Sequence, residues 1–438
     1  MINRLIFIQL LLLFAIPVSL KGEKRLTLQE CVALALEKNY SVTISYNQVK
    51  MAENNVNLSP FLPSLSLSVR QNASSNNQRE ISQGGEDVNT SANVLSFQNG
   101  LNFNWPIFDG FSMFATRDKQ KELLNQGKYN FRSVVENLVM KVSTQYYLII
   151  SLHNQVKLLE ELVGISQTRF VQAYTRYTIG KDSGLEYKQA KVYLNSDSSS
   201  LLMQMESLKN AYIELYRLMN LPLDSEYLIS DSIVPEPVLV MEDVIRRGLE
   251  NNTSLLADRA GERVAGLDLK IAQSLIYPTL NFSAGYNYNL DRNNFFPSRF
   301  DQSNGFNWGF SLSVPIFDGF ENRRRVKNAR ITAENARLAT LLSSQELESE
   351  LRQLYNLYRN NLRMVDFEKE NKETAYLNLD AAMEKYRLGS LSGIEFRDIQ
   401  LSYMNAYDRM LNSLYETKVK EITLHLLSGD LFPAELAD

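Results

Sequence analysis

The sequence predicts a mixed, mainly α-helical chain in which long antiparallel helical hairpins alternate with four β-strands of membrane type. Three observations predict it. First, the chain is written twice: Pro106-Ile107-Phe108-Asp109-Gly110-Phe111 returns as Pro315-Ile316-Phe317-Asp318-Gly319-Phe320, 209 positions later (315 − 106). Tyr177-Thr178-Ile179-Gly180, followed by Gly184 and Glu186, returns at the same offset as Tyr386-Arg387-Leu388-Gly389, followed by Gly393 and Glu395. Two landmarks at one spacing mark a duplicated unit, here too long for a solenoid repeat. Second, no proline falls between Pro106 and Pro222 or between Pro315 and Pro433, and both windows are rich in Leu, Glu, Lys, Gln and Arg, as helices are. Third, just upstream of each window the apolar period shortens from about 3.6 to about 2.

Residues 1–22 read as a secretory signal peptide, with Arg4 as the basic start, Leu5 to Val18 as the apolar run and Gly22 at the cleavage site. Pro17, Ser19 and Lys21 cut the run short of the roughly 20 apolar residues a spanning helix needs, and no other stretch reaches that length. Loss of Arg4 and Lys21 moves the formal charge from -4 to -6. That mildly acidic balance implies no nucleic acid partner. The single Cys31 excludes an intrachain disulfide, and its Leu- and Ala-rich surroundings read as those of a buried small hydrophobe.

The first structural repeat spans residues 23–220 and the second 241–428. A linker at 221–240, extended by Pro222, Pro235 and Pro237, joins them, and a tail at 429–438 follows. Each repeat opens with a shorter helical stretch, 28–58 and 241–276, sharing Ala35-Leu36-Glu37-Lys38-Asn39 with Gly248-Leu249-Glu250-Asn251-Asn252. Two strands come next in each, near 63–72 and 97–107, then near 279–290 and 305–316. Leu280, Phe282, Ala284, Tyr286 and Tyr288 alternate with Asn and Ser, as do Phe306, Trp308, Phe310, Leu312 and Val314 with Asn, Gly and Ser. Each strand has about the 9 to 11 residues of a tilted membrane strand, and both tryptophans lie in them. A soluble sheet packed on one face uses the same alternation, but no other element is left to cover these apolar faces. The Asn/Ser/Gln/Gly-rich segment 73–96 and the aromatic segment 289–305, with Phe295, Phe296, Arg299 and Phe300, read as loops on the outer side of a barrel.

The hairpins occupy 110–220 and 319–428. In the first, Phe131, Val135, Leu138, Val142, Tyr146, Ile149, Leu152, Val156, Leu159 and Val163 step by three and four with a mean close to 3.5, a coiled-coil seam that Phe170, Tyr174 and Tyr177 continue. The ascending helix, from Gly110 to Tyr177, would be roughly 100 Å long. At the turns, Gly180 and Gly389 suit helix C-caps, and the Ser and Asp residues that follow suit the next N-cap. Four strands cannot close a membrane barrel, which needs at least about eight, and an open edge in lipid leaves backbone groups unpaired. Several chains must pool strands. Two would give about eight and a bore filled by side chains, and three about twelve with room for a channel.

The order of helix, strand pair and long hairpin, repeated once with Pro-Ile-Phe-Asp-Gly after each strand pair and Tyr-x-x-Gly at each tip, resembles the TolC-type outer-membrane efflux family over nearly the whole mature chain. The resemblance implies a homotrimer in the outer-membrane lipid, with a twelve-stranded barrel and an α-helical tunnel across the periplasm. It also implies partners: a periplasmic adaptor (membrane fusion protein) and an inner-membrane pump of RND or ABC type. Residue by residue, it assigns adaptor docking to Tyr177, Gly180, Tyr386, Arg387 and Gly389. It assigns an acidic periplasmic aperture to Glu395 and Asp398, with Glu186 at the matching place in the first repeat, where Gln189 replaces the second acid. The same carboxylates also suit the start of a returning helix. Leu391 stands where the family pattern has a basic latch residue.

Other chemistry is thin. His153 and His425 are the only histidines, far apart and without a second ligand at metal spacing, and Met203 and Met205 lack further soft ligands. The run Arg323-Arg324-Arg325 with Lys327 and Arg330 reads as a solvated helix face. No phosphate loop, nucleophile elbow or Ser/His/Asp set is present, so the chain is expected not to be an enzyme and to need no cofactor. The expected function is an exit duct for efflux. The same architecture serving protein or peptide secretion stays open, and an envelope-anchored coiled-coil scaffold without a lumen would leave the polar strand faces unexplained.

Overall fold

A computed structural model describes residues 24–81, 87–229, 232–237, 239–293 and 300–430. The expected signal peptide, most of the tail, and Phe295, Phe296 and Arg299 lie outside the described residues. In chain order the elements are β1 (Lys24–Arg25), α1 (Leu28–Lys38), α2 (Tyr40–Asn55), β2 (Ser64–Ile81), β3 (Asp87–Asp109), α3 (Ser112–Thr178) and α4 (Gly184–Leu218). The second repeat adds β4 (Tyr227–Leu228), α5 (Met241–Asn251), α6 (Thr253–Ser274), β5 (Thr279–Asn293), β6 (Phe300–Ser313), α7 (Glu321–Arg387) and α8 (Gly393–Leu427). The duplication survives in the lengths: α3 and α7 have 67 residues each, α4 and α8 35 each. Among the described residues no helix is long and apolar enough to cross a membrane.

Two compact units cut across the sequence repeat. One gathers the described parts of Met1–Thr43, Val134–Glu250 and Glu348–Asp438. Its main core packs Cys31 and Ala35 of α1 against Val142, Tyr146 and Ile149 of α3 and Leu215 of α4. Burial, helped by the charge of Glu30, pushes the Cys31 thiol up to about 12, leaving it inert. Within the linker, β4 pairs in parallel with β1. A second core joins Leu158 and Leu162 of α3 to Leu379, Ala382 and Tyr386 of α7 and Phe396 and Tyr403 of α8. The buried stripe of α3 follows the seam through Val142, Tyr146, Ile149 and Val156, then moves to Leu162, Ser166, Arg169 and Ala173, leaving Tyr174 and Tyr177 exposed. The shift coincides with a change of partner, from α1 and α4 around Val142, Tyr146 and Ile149 to α7 and α8 around Leu158 and Leu162.

Each of the shorter helical stretches is two helices, broken at the asparagine that ends the shared segment. Asn39 Oδ1 accepts from the Ser41 N–H at 2.8 Å, and Asn252 Oδ1 accepts from the Leu255 N–H at 3.0 Å. Asparagine competes with the helix for its own backbone donors.

The other unit, Ile44–Ser133 with Asn251–Leu347, holds an antiparallel sheet in the order β2-β3-β5-β6. Its register sorts the alternation into rows. Leu67, Leu101, Tyr286 and Phe306 lie side by side on one face, with Leu65, Phe103, Ala284 and Trp308 in the next row. On the opposite face Ser66, Asn102, Gly285 and Asn307 form the matching row. The strands exceed their expected bounds: the β2–β3 ladder runs on to Ile81↔Asp87, so most of 73–96, expected as a loop, is strand. Its Asn and Ser residues show no apolar alternation, so the sequence carries no strand signal there.

The repeated Pro-Ile-Phe-Asp-Gly-Phe segment is a strand-to-helix turn. Asp109 Oδ1 accepts from the Met113 N–H at 3.0 Å, and Asp318 Oδ2 from the Asn322 N–H at 2.7 Å, so each aspartate caps a long helix. The next two residues take positive φ in both copies, at Gly110 and Phe111, then Gly319 and Phe320. Phenylalanine there is strained. The surroundings differ. A Cβ on Gly110 would collide with the Ser274 carbonyl oxygen, and Phe111 meets Phe108 and Tyr277 edge-on. A Cβ on Gly319 would meet nothing, and Ile316, Phe317 and Phe320 are 94%, 75% and 62% exposed. Pro106–Asp109 stays in β3, with a bulge, because β5 runs alongside. The expected strand to residue 316 instead ends at Ser313, whose partner Thr279 is the first residue of β5, and among the described residues β6 has no second neighbour.

Candidate functional site at the hairpin tips

Both tips reverse by one mechanism. The Gly180 N–H donates to Tyr177 O and Lys181 N–H to Arg176 O, as Gly389 and Ser390 do to Tyr386 O and Lys385 O. This is the Schellman pattern, which needs a left-handed residue, and the glycines supply it at φ 74° and 79°. A Cβ on either would meet no neighbour, so these glycines serve the backbone and leave the tip surface open. Ile179 and Leu388, and Leu185 and Ile394, stand exposed at equivalent places in the two repeats. This apolar pairing was missed in the sequence, although the 209 offset carries it.

The residues expected to dock a partner separate. Tyr177 is half-exposed, its ring against Tyr187 at 4.7 Å, and Arg387 is exposed and pairs with Glu384 at 2.8 Å. Tyr386 is only 3% exposed and faces inward. Burial pushes its phenol above the ordinary value, keeping it a proton donor, and it donates to Glu186 Oε1 at 3.1 Å. Glu186 also accepts from Arg169 Nη2 at 3.4 Å. Glu186 thus links the two hairpins through Tyr386. Arg176 adds a second tie by donating to the carbonyls of Tyr386 and Arg387 at 2.8 and 3.2 Å, where a cation complements the end of α7.

Glu395 and Asp398 lie three residues apart in the first turns of α8, both exposed. Glu395 closes a capping box: its N–H donates to Ser392 Oγ at 3.2 Å and its carboxylate accepts from the Ser392 N–H at 3.1 Å. The Ser392 hydroxyl, then its backbone N–H, hold the Glu395 carboxyl below the usual range. It stays anionic while capping.

Behind the tips lies a polar network absent from the expectations. Arg169, 3% exposed, sits among the rings of Tyr193, Tyr386 and Phe396 at 5.2 to 5.6 Å, cation–π contacts that compensate its burial. Further along, Arg397 grips Asp197 with two bonds of 2.7 and 2.8 Å. Ser166 Oγ donates to the same carboxylate at 2.5 Å, and Gln400 Nε2 donates to Ser166 at 3.0 Å. All four side chains are buried. The available signal was Ser166 and Arg169 falling at core spacing with Leu162 and Ala173.

Comparison with known proteins matches this geometry. The family model described as outer membrane efflux protein matches residues 32–221 and again 244–430, once per repeat. The outer membrane protein TolC of Vibrio cholerae is 20% identical over 350 residues, 77% of this chain and 78% of that protein. The cation efflux system protein CusC of Escherichia coli O6:H1 is 21% identical over 355 residues, 77% of this chain and 74% of that one. The crystal structure of the Campylobacter jejuni CmeC outer membrane channel superposes with a TM-score of 0.76 at 16% identity, covering 92% of this chain and 86% of that one. A duplicated unit, a sheet with one lipid-type face and two capped hairpin tips thus come with a family match over both repeats: the chain belongs to the outer membrane efflux protein family and is a protein of the Gram-negative outer membrane that extends into the periplasm.

Proposed function

We propose that the protein is the exit duct of a tripartite efflux system, a homotrimer that receives substrate from an inner-membrane RND or ABC-type pump through a periplasmic adaptor. One observation carries the reading. Among the described residues the sheet ends in two unpaired edges, β2 and β6, and the second Pro-Ile-Phe-Asp-Gly-Phe lacks the cover that α6 and β5 give the first. The start of β5, Pro278-Thr279-Leu280, has its counterpart in Pro63-Ser64-Leu65 at the start of β2, with Leu62 at the place of Tyr277. A second copy therefore offers the missing partner: β2 of one chain continues β6 of the next, and Phe320 packs on Leu62 as Phe111 packs on Tyr277. Three chains close about twelve strands, with the Ser and Asn faces lining the lumen. In the double variant Leu62→Cys, Phe320→Cys, oxidation is expected to produce covalent dimers and trimers on denaturing gels, with each single variant remaining monomeric. Cys31 stays out of the reaction because it is buried. Monomer alone from the double variant would refute this assembly.

At the periplasmic end, the exposed Ile179, Leu388, Leu185 and Ile394, with Tyr177, Gly180, Arg387 and Gly389, form the adaptor-docking face. Threefold symmetry directs Glu395 and Asp398 of each chain towards the axis, where crowded carboxylates in a poorly screened entrance draw cations. In planar bilayers, Glu395→Ala with Asp398→Ala is expected to weaken cation selectivity and block by a trivalent cation, whereas the exposed Asp366→Ala changes neither. Equally tight block in the double variant would return both acids to helix-start duty.

A further inference from the structure

At the end of α8 three donors from distant parts of the sequence converge. Glu236, Glu421 and His425 each offer a ligand atom, all within 4.8 Å of one another. Glu421 and His425 are four apart on α8 and so share a face. Glu236 comes from the linker and is anchored twice: its N–H donates to Glu421 Oε2 at 2.8 Å, and its carbonyl accepts from the Tyr358 hydroxyl at 3.0 Å. The His425 Nε2 atom is shielded from solvent, makes no hydrogen bond and lies 3.4 Å from Glu236 Oε2. The Nε2 atom and the carboxylate oxygen thus face one another across a gap that no hydrogen bond closes. Two donors at 2.0–2.2 Å from a tetrahedral zinc ion stand about 3.4 Å apart.

We propose that Glu236, Glu421 and His425 form a divalent metal site of the zinc class, with a fourth position open to water. One imidazole and two carboxylates suit zinc, whereas magnesium and calcium prefer six or more oxygen donors. Lys418 donates to Glu421 and, at 3.3 Å, to Val234 O. Glu236, Glu421 and Lys418 together carry one net negative charge, so a dication is still attracted, and each carboxylate oxygen keeps a second lone pair for it. The bound ion rivets the linker to α8, apart from the tips and from the acidic aperture.

The test titrates zinc chloride calorimetrically into the full-length protein in detergent, with excess magnesium, in the Glu395→Ala, Asp398→Ala background so that aperture acids contribute nothing. The expected result is one zinc per chain. His425→Ala and Glu236→Gln are each expected to weaken it by more than about tenfold. Zinc should also raise the melting temperature of the background protein and not that of His425→Ala, since an ion that binds only the folded state stabilises it. A protein that binds no zinc, or binds it as tightly without His425, overturns the site.

Discussion

Leu67→Arg and Phe310→Arg are each expected to destabilise the assembled protein by about 2 to 4 kcal/mol, the cost of a lipid-facing arginine near the bilayer midplane. Ser66→Arg and Ser311→Arg are expected to insert and assemble normally. The contrast follows from the register. Leu67 shares its row with Leu101, Tyr286 and Phe306, and Phe310 stands beside Phe282 and Trp105, all on one face. Ser66 and Ser311 point to the other face, beside Asn102 and Asn281, where an arginine head stays in water. Denaturant unfolding from lipid vesicles measures all four variants. Equal losses on the two faces would show that the apolar rows do not meet lipid.

Arg397→Leu should have the largest effect at the tips. It removes both bonds to Asp197 and leaves that carboxylate buried with only Ser166 as donor. Breaking a buried ion pair from one side costs about 3 to 5 kcal/mol, whereas replacing both partners with apolar residues is often neutral. Arg397→Leu with Asp197→Leu should therefore recover most of the loss. Hydrogen exchange of the backbone amides of 184–200 and 393–400 reads the change locally: fast in the single variant, near parental in the double. Equal protection in all three proteins would mean that the pair does not hold the hairpins together.

The parts of this protein legible in the sequence are those governed by local periodicity. Proline-free windows and a constant 209 offset marked α3 and α7, and alternation marked the apolar rows of β2, β3, β5 and β6. The outer parts of β2 and β3 were illegible because Asn76, Asn77 and Gln78 form a polar run with no apolar alternation to mark a strand. The helix breaks at Asn39 and Asn252 lay in a segment already seen to repeat, but the motif was read for helix content and not for its terminal cap. At the tips, the glycines and the Ser392–Glu395 box follow from rules that span a few residues. The Arg397–Asp197 grip joins residues 200 apart in sequence, and Glu236 reaches His425 from a proline-rich linker. No local pattern encodes such encounters. Tyr386 was recognised as part of a motif, while its inward direction depended on Arg169 and Phe396 around it.

The unequal fate of the two Pro-Ile-Phe-Asp-Gly-Phe segments sets a timetable for biogenesis. The first is satisfied as soon as its own chain folds. The second waits with Ile316, Phe317 and Phe320 bare and β6 unpaired, the kind of sticky edge that recruits indiscriminate partners. A newly exported chain is therefore least safe when it is already folded but alone. In the proposed homotrimer, a sibling chain covers both the bare segment and the open edge.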